Sequence, residues 1–231
     1  MKTLAIIPAR GGSKRIPGKN IKDFAGRPII YYSIDNAIKS NLFDEVMVST
    51  DDVAISEIAK QYNAQVPFFR SNETANDFAP LAVVIEEVLN SYLSQGKEFD
   101  YVCCLLPTAP LVTIKRIVES FELLKKNNYD SVFPVVQFSY PIQRALKIEN
   151  NQVSMIWPEN MLARSQDLMP AFHDSGQFYW LNVKRFLESK KIFAANSGAI
   201  VLSELEVQDI DTEDDWIIAE IKFELINKPK V

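Results

Sequence analysis

Thr3-Leu4-Ala5-Ile6-Ile7-Pro8-Ala9-Arg10-Gly11-Gly12-Ser13-Lys14-Arg15-Ile16-Pro17-Gly18-Lys19-Asn20 begins as an apolar run and breaks into a loop of glycines, prolines and cations. An apolar run of strand length that ends on a turn signal reads as a strand buried on both faces. Open α/β sheets bind ligands beyond the carboxyl ends of such strands, which is where this loop falls. Gly11, Gly12 and Gly18 let the backbone approach a ligand closely, while Arg10, Lys14, Arg15 and Lys19 put four cations within ten residues. That density suits a nucleoside triphosphate. A solvated basic loop would account for the charges, but not for their interleaving with glycine and proline directly after a buried strand.

Two better-known phosphate loops do not fit. The pattern G-x-x-x-x-G-K-[ST] fails because Pro17 lies five residues after Gly12 and Asn20 follows Lys19. G-x-G-x-x-G is absent as well, which argues against a dinucleotide fingerprint.

Outward from the loop, strand-length apolar runs alternate with helical periods. Thr3 to Ile7, Glu45 to Ser49, Tyr101 to Leu106 and Ser131 to Val136 read as strands. Ile30, Ile34 and Ile38 share a helix face, as do Val84, Val88 and Tyr92, then Ile114, Ile117, Phe121 and Leu124. This rhythm predicts a doubly wound α/β fold around a mainly parallel sheet. It stops after Val136. Phe138 to Asp174 carries Pro141, Pro158 and Pro170 and two short β-like stretches, and reads as a β-rich insertion. Its apolar residues, Trp157, Met161, Leu162 and Met169 among them, could cover a neighbouring subunit as a dimerisation lobe or fold back on the same chain. A strand is expected again at Gln177 to Leu181, then helices at Val183 to Lys190 and Thr212 to Asn227.

The chain has 231 residues, 47% of them hydrophobic, enough for residues 1–231 to form a single domain with an inserted lobe. A net charge of −5 argues against a nucleic-acid surface, although clustered cations can still bind a small phosphate ligand. Cys103 and Cys104 adjoin within an apolar run, lack zinc-ligand spacing and read as small buried hydrophobes. No stretch approaches the roughly 20 apolar residues that span a bilayer, and Met1 to Pro8 is too short for a signal peptide. A cytoplasmic protein is expected. The only histidine, His173, leaves little material for a Ser-His-Asp mechanism.

Asp209 and Asp211 lie two apart, so in an extended segment they share a face and can approach one hard cation. Acidic residues before a helix also serve as caps, and Thr212 with Asp214 or Asp215 fits that reading. Tyr179 and Trp180 read equally as core aromatics or substrate contacts.

The loop resembles the signature of the acylneuraminate cytidylyltransferase family. Phe43 to Asp52, Phe69-Arg70, Leu106-Pro107-Thr108-Ala109-Pro110 and Asp209-Ile210-Asp211-Thr212-Glu213-Asp214 extend the resemblance in order over nearly the whole chain. The resemblance implies an enzyme that transfers CMP from CTP to the C2 hydroxyl of a nine-carbon 2-keto (nonulosonic) sugar acid. Ala9, Arg10, Gly11, Gly12, Ser13, Lys14, Lys19 and Asn20 would then meet CTP, with Arg70, Asp77 and Ala79 bordering the nucleotide. Pro80 and Leu81 stand where the family often has small hydroxyl residues. Asp209 and Asp211 would hold Mg²⁺, and either could accept the hydroxyl proton.

Arg164 matches a position that meets the sugar acid, and Gln177 and Tyr179 lie in a sugar-site segment. Leu106 and Val112 stand where enzymes for sialic acid commonly have Gln and Arg. Leu cannot hydrogen-bond a polar substituent, so a less hydroxylated acid is implied, pseudaminic acid ahead of legionaminic or sialic acid. A homodimer is expected. A 3-deoxy-octulosonate cytidylyltransferase and a non-catalytic nucleotide-binding regulator are the alternatives.

Overall fold

The protein is described from a computed structural model covering residues 1–76 and 78–228. In chain order its elements are β1 (Thr3–Pro8), the minimal hairpin β2 (Asp23–Phe24) and β3 (Arg27–Pro28), α1 (Ile30–Lys39), β4 (Glu45–Ser49), α2 (Val53–Gln61), α3 (Leu81–Ser94), β5 (Tyr101–Leu105) and α4 (Ile114–Asn127). Then come β6 (Ser131–Gln137), β7 (Leu146–Glu149), β8 (Gln152–Met155), β9 (Phe172–Asp174), β10 (Phe178–Asn182), α5 (Val183–Ser189), β11 (Ser197–Leu202) and α6 (Glu213–Asn227). No helix among the described residues is long and apolar enough to cross a membrane.

The central sheet has seven strands in the order β11-β6-β10-β5-β1-β4, with β9 also paired to β6. β1 is parallel to β4 and β5, and β6 to β11, whereas β10 runs antiparallel between β5 and β6. The mainly parallel reading holds, with β9 and β10 as its exceptions. Strand alternation sorts the core into two layers. Ala5, Ile7, Val48, Cys103, Leu105 and Trp180 face α1, α2 and α4. Leu4, Ile6, Met47, Val102, Cys104 and Tyr179 face α3 and α5. The two cysteines therefore point to opposite faces, both buried, and burial pushes both thiols up. Trp180 settles as core: its ring stacks on Phe121 at 4.3 Å and its indole N–H donates to the Ile117 carbonyl.

Two features depart from the sequence reading. The insertion ends earlier than Asp174, because β9 leaves the lobe and pairs with Val135 to Gln137 in the central sheet. β11, along the edge of β6, carries no clear strand alternation in the sequence because its solvent-exposed positions Ala199 and Val201 are themselves apolar. The rest of the insertion, with the β7–β8 hairpin, joins none of the four buried clusters.

Candidate active site

β1 lies between β4 and β5, and the crossovers to its two neighbours cover opposite faces, α1 leading from β1 to β4 on one and α3 leading from β4 to β5 on the other. Such a switch point opens a crevice at the carboxyl ends of the strands. The loop after β1 fills its rim. Ile16 is buried against Phe24, Ile29, Ile210 and Trp216, which pins the middle of the loop under α6. Buried Asn20 donates from Nδ2 to the Arg10 carbonyl at 2.9 Å and ties the loop's two ends together. A Cβ on Gly11 would lie 2.5 Å from the Asp52 carboxylate, so the close approach of the loop to the end of β4 requires glycine there. The amides of Ala9 and Gly11 are engaged internally, donating to Ser49 O at 2.9 Å and to Asp51 Oδ1 at 3.0 Å.

The resulting cleft, of about 500 Å³, is lined by Arg10, Ser13, Lys14, Arg15, Lys19 and Asn20 on one side. Arg70, Ala79, Leu106 and Thr108 line the other. Arg70 is buried at the back, where its Nε donates to Ser49 Oγ and its Nη2 to Ser49 O at 2.8 Å. Burial lowers its pKa. Asp77, expected at the nucleotide, lies outside the described residues.

Asp209 and Asp211 sit on an irregular segment, Ser203 to Thr212, held by side chains from four directions. Arg116 on α4 forms a forked ion pair with Glu206, at 2.8 and 3.1 Å. Gln177 Nε2 donates to Glu206 O at 2.5 Å. Lys222 on α6 donates to Val207 O at 2.6 Å and to Gln208 Oε1 at 3.0 Å. Lys19 donates to Ile210 O at 2.6 Å. The α6 cap closes the set, with Asp215 Oδ2 accepting from the Asp211 and Thr212 amides while Thr212 Oγ1 accepts from the Asp215 amide. Capping by Thr212 and Asp215 is thus present, and the Asp209 and Asp211 carboxylates take no part in it.

Asp211 Oδ2 pairs with Arg15 at 2.7 Å and Asp211 Oδ1 lies 3.6 Å from Lys19 Nζ, so this carboxylate faces the cation loop. Asp209 is exposed along one side, yet crowding on the other and the Asp211 charge raise its carboxyl above the ordinary value despite Lys19 and Arg15. Two hard carboxylates, completed by water and phosphate oxygens, fit Mg²⁺. No cluster of three or more His, Cys, Asp or Glu occurs among the described residues.

Asp209 also lines a second cleft of about 550 Å³ with Asp174, Ser175, Glu204, Gln208 and Lys222. Gln177 and Tyr179 line neither cleft. Both are buried, Gln177 spent on Glu206 O and Tyr179 donating its hydroxyl to Asp174 Oδ2 at 2.5 Å. Burial and that carboxylate push the Tyr179 phenol well up. Tyr179 behaves as a core aromatic that braces Asp174. Arg164 is on the inserted lobe, exposed and paired with Asp167 at 2.7 Å.

Sequence reading missed Arg116, Glu206 and Lys222. An Arg near the start of a helix and a Lys near the end of another carry no motif, and their partners are 90 and about 15 residues away. Nothing local marks them.

The sequence profile of the cytidylyltransferase family matches residues 4–214. A pseudaminic acid cytidylyltransferase of Campylobacter jejuni is 45% identical over 226 residues, 97% of each chain. A CMP-N,N'-diacetyllegionaminic acid synthase of Legionella pneumophila is 34% identical over 97% of each chain. A CMP:2-keto-3-deoxy-manno-octonic acid synthetase solved with CTP superposes with a TM-score of 0.69 over 98% of this chain and 99% of its own, at 15% identity, and shares the fold.

Proposed function

The chain belongs to the cytidylyltransferase family, and from that membership we propose that it transfers CMP from CTP to the C2 hydroxyl of pseudaminic acid, releasing pyrophosphate. The observation that carries this reading is the meeting of the cation loop with the carboxylate pair, where Arg15 and Lys19 reach Asp211. The named relative at 45% identity supports the choice of sugar. So does Leu106, an apolar wall of the first cleft that offers no side-chain hydrogen bond to a hydroxyl-rich acid.

In this reading Arg10, Lys14, Lys19 and Arg70 bind and orient the triphosphate, and their charge grows in value as pyrophosphate leaves. Asn20 keeps the loop in shape. Asp209 and Asp211 would hold Mg²⁺, which when bound offsets the charge on the α-phosphate and the leaving group. Arg15, most of whose side chain is exposed, can swing from Asp211 to phosphate oxygens at little cost. The second cleft, sharing Asp209, receives the sugar acid, so that its hydroxyl reaches the α-phosphorus from the side away from the leaving group.

Residues 1–231 act as one nucleotidyltransferase unit, and the lobe from Phe138 to about Ala171 forms a two-fold interface. Its apolar side chains Leu162, Met169 and Ile148 are 93%, 78% and 72% exposed. Because Arg164 is on that lobe, it meets the sugar acid in the site of a second copy of the chain. The buried thiols suit a reducing cytoplasm.

The test is pyrophosphate release from CTP and Mg²⁺ with pseudaminic, legionaminic and sialic acids in parallel. The expected result is the highest kcat/KM with pseudaminic acid. Equal or better kcat/KM with either other acid would overturn the choice of sugar, and no release with any of the three would overturn the activity.

A further inference from the structure

Glu87, two turns into α3, does not line the first cleft, yet it holds part of the wall that does. Its carboxylate reaches the turn that follows Arg70, where Oε1 accepts from the Ser71 amide at 2.8 Å and Oε2 accepts from the Thr74 hydroxyl. Both oxygens are spent on this one turn. Within it, the Thr74 and Ala75 amides donate to the Ser71 carbonyl, and Asn76 Nδ2 donates to Glu73 O at 2.7 Å. α3 is itself fixed, because Ile85, Val88 and Leu89 are buried in one cluster with Leu4 and Ile6 of β1. Burial alone would raise the Glu87 carboxyl, but the bonds from Thr74 and Ser71 hold it below its ordinary value, as expected of a carboxylate engaged in its ionised form.

The cleft that this turn borders divides by charge. Arg10, Lys14, Arg15 and Lys19 line one side, whereas Thr74, Asn76, Ala79 and Leu81 on the other are uncharged. A triphosphate belongs with the cations, which leaves the uncharged wall for the nucleoside. A wall that meets a base and a ribose must be ordered before they arrive, or the cost of ordering it is taken from the binding. The turn cannot order itself by burial: Thr74 is buried, but Ser71, Asn72, Glu73 and Asn76 are exposed. The order comes from Glu87, through hydrogen bonds to a helix set in the core.

We propose that Glu87 is a positioning residue for nucleotide binding, its carboxylate clamping the turn at residues 71–74 and so fixing the wall of the cleft that meets the nucleoside of CTP. This rests on the proposed use of CTP and names a residue that acts without touching the ligand.

The experiment titrates the full-length protein and Glu87→Ala calorimetrically with CTP and with inorganic tripolyphosphate, each with Mg²⁺. Losing both tethers should raise Kd for CTP by about 10-fold. Kd for tripolyphosphate, which needs only the cations, should stay within about twofold. Tm should fall by no more than about 4 °C. Glu87→Gln can keep both contacts, its Oε1 accepting from the Ser71 amide and its Nε2 donating to the Thr74 hydroxyl, so its Kd for CTP should stay within about threefold of wild type. Thr74→Val, which removes one tether and keeps the side-chain shape, should raise Kd for CTP by about threefold, and it decides the matter if Glu87→Ala does not fold. An unchanged Kd for CTP in these variants would overturn this inference alone. Equal rises for CTP and tripolyphosphate would do the same, by showing a loss not confined to the nucleoside wall, and so would a Gln variant as weak as the Ala variant, by showing that charge rather than tethering matters. A wild-type protein that binds no CTP would overturn the functional reading and this inference with it.

Discussion

Two irregular stretches break the α/β rhythm, and the fold treats them in opposite ways. Ser203 to Thr212 carries the carboxylate pair and is tied to the body by Arg116, Gln177, Lys222, Lys19 and Asp215. Phe138 to Ala171 is larger, yet the bonds from Gln143 to Met169 O, from Arg164 to Asp167 and from Lys147 to Glu149 all close on the lobe itself. The first stretch has few apolar residues to bury and gains its shape from charge and hydrogen bonds. The second leaves its apolar side chains outside. A segment proposed to hold a metal ion needs its oxygens fixed by tethers within the chain, whereas an apolar flap is suited to a surface that arrives later.

The sharpest way to break this contrast is at the carboxylates. Asp211→Asn should lower kcat by at least about 100-fold with the fold intact. Asp209→Asn should cost a similar factor, and with a distinctive stability signature. The raised pKa of Asp209 means its charge opposes folding at neutral pH, a cost that fades as pH falls through the raised value. The Asn variant should therefore match or exceed the wild-type Tm at pH 7, with the gap closing in acid. A variant less stable at pH 7 would show that Asp209 serves the fold.

Glu206→Gln tests the tether furthest from the chemistry. Arg116 holds the Glu206 carboxyl down at about 2, against an ordinary value of 4.5. A depressed carboxyl contributes stability above the ordinary value and loses it as pH falls toward the folded one. Denaturant unfolding should show the variant about 1–2 kcal/mol less stable at pH 7, after allowing for partial exposure, and equal to wild type near pH 2. Lys222→Met should cost about 1 kcal/mol and raise the Mg²⁺ concentration needed for half-maximal rate more than the KM for CTP, because Lys222 acts by positioning the backbone ahead of Asp209. A uniform loss in all parameters would mean a merely structural strut.

The smallest effect on folding belongs to the lobe. Leu162→Glu, at 93% exposure, should change unfolding free energy by no more than about 0.5 kcal/mol. Light scattering should nevertheless show a shift from dimer toward monomer. A dimer as stable as the wild type's would remove that part of the lobe from the interface.

Local signals carried much of this. The apolar run Thr3 to Ile7, the alternation that sends Cys103 and Cys104 to opposite faces, and the Asp-x-Asp spacing each depend on neighbours within a few residues. Hydrophobic period and turn chemistry act over that range, so the strands, most helices, the cation-bearing loop after β1 and the spacing of Asp209 and Asp211 were legible. Only tertiary structure decided that Gln177 braces Glu206, that Tyr179 is spent on Asp174, that β9 leaves the lobe for the central sheet, and that Arg116 and Lys222 hold the segment that carries Asp209 and Asp211. Those outcomes join residues far apart in the chain through single ion pairs and hydrogen bonds. Such pairings leave no periodic trace in a sequence, because any of many polar residues could satisfy them and the sheet order selects which ones meet.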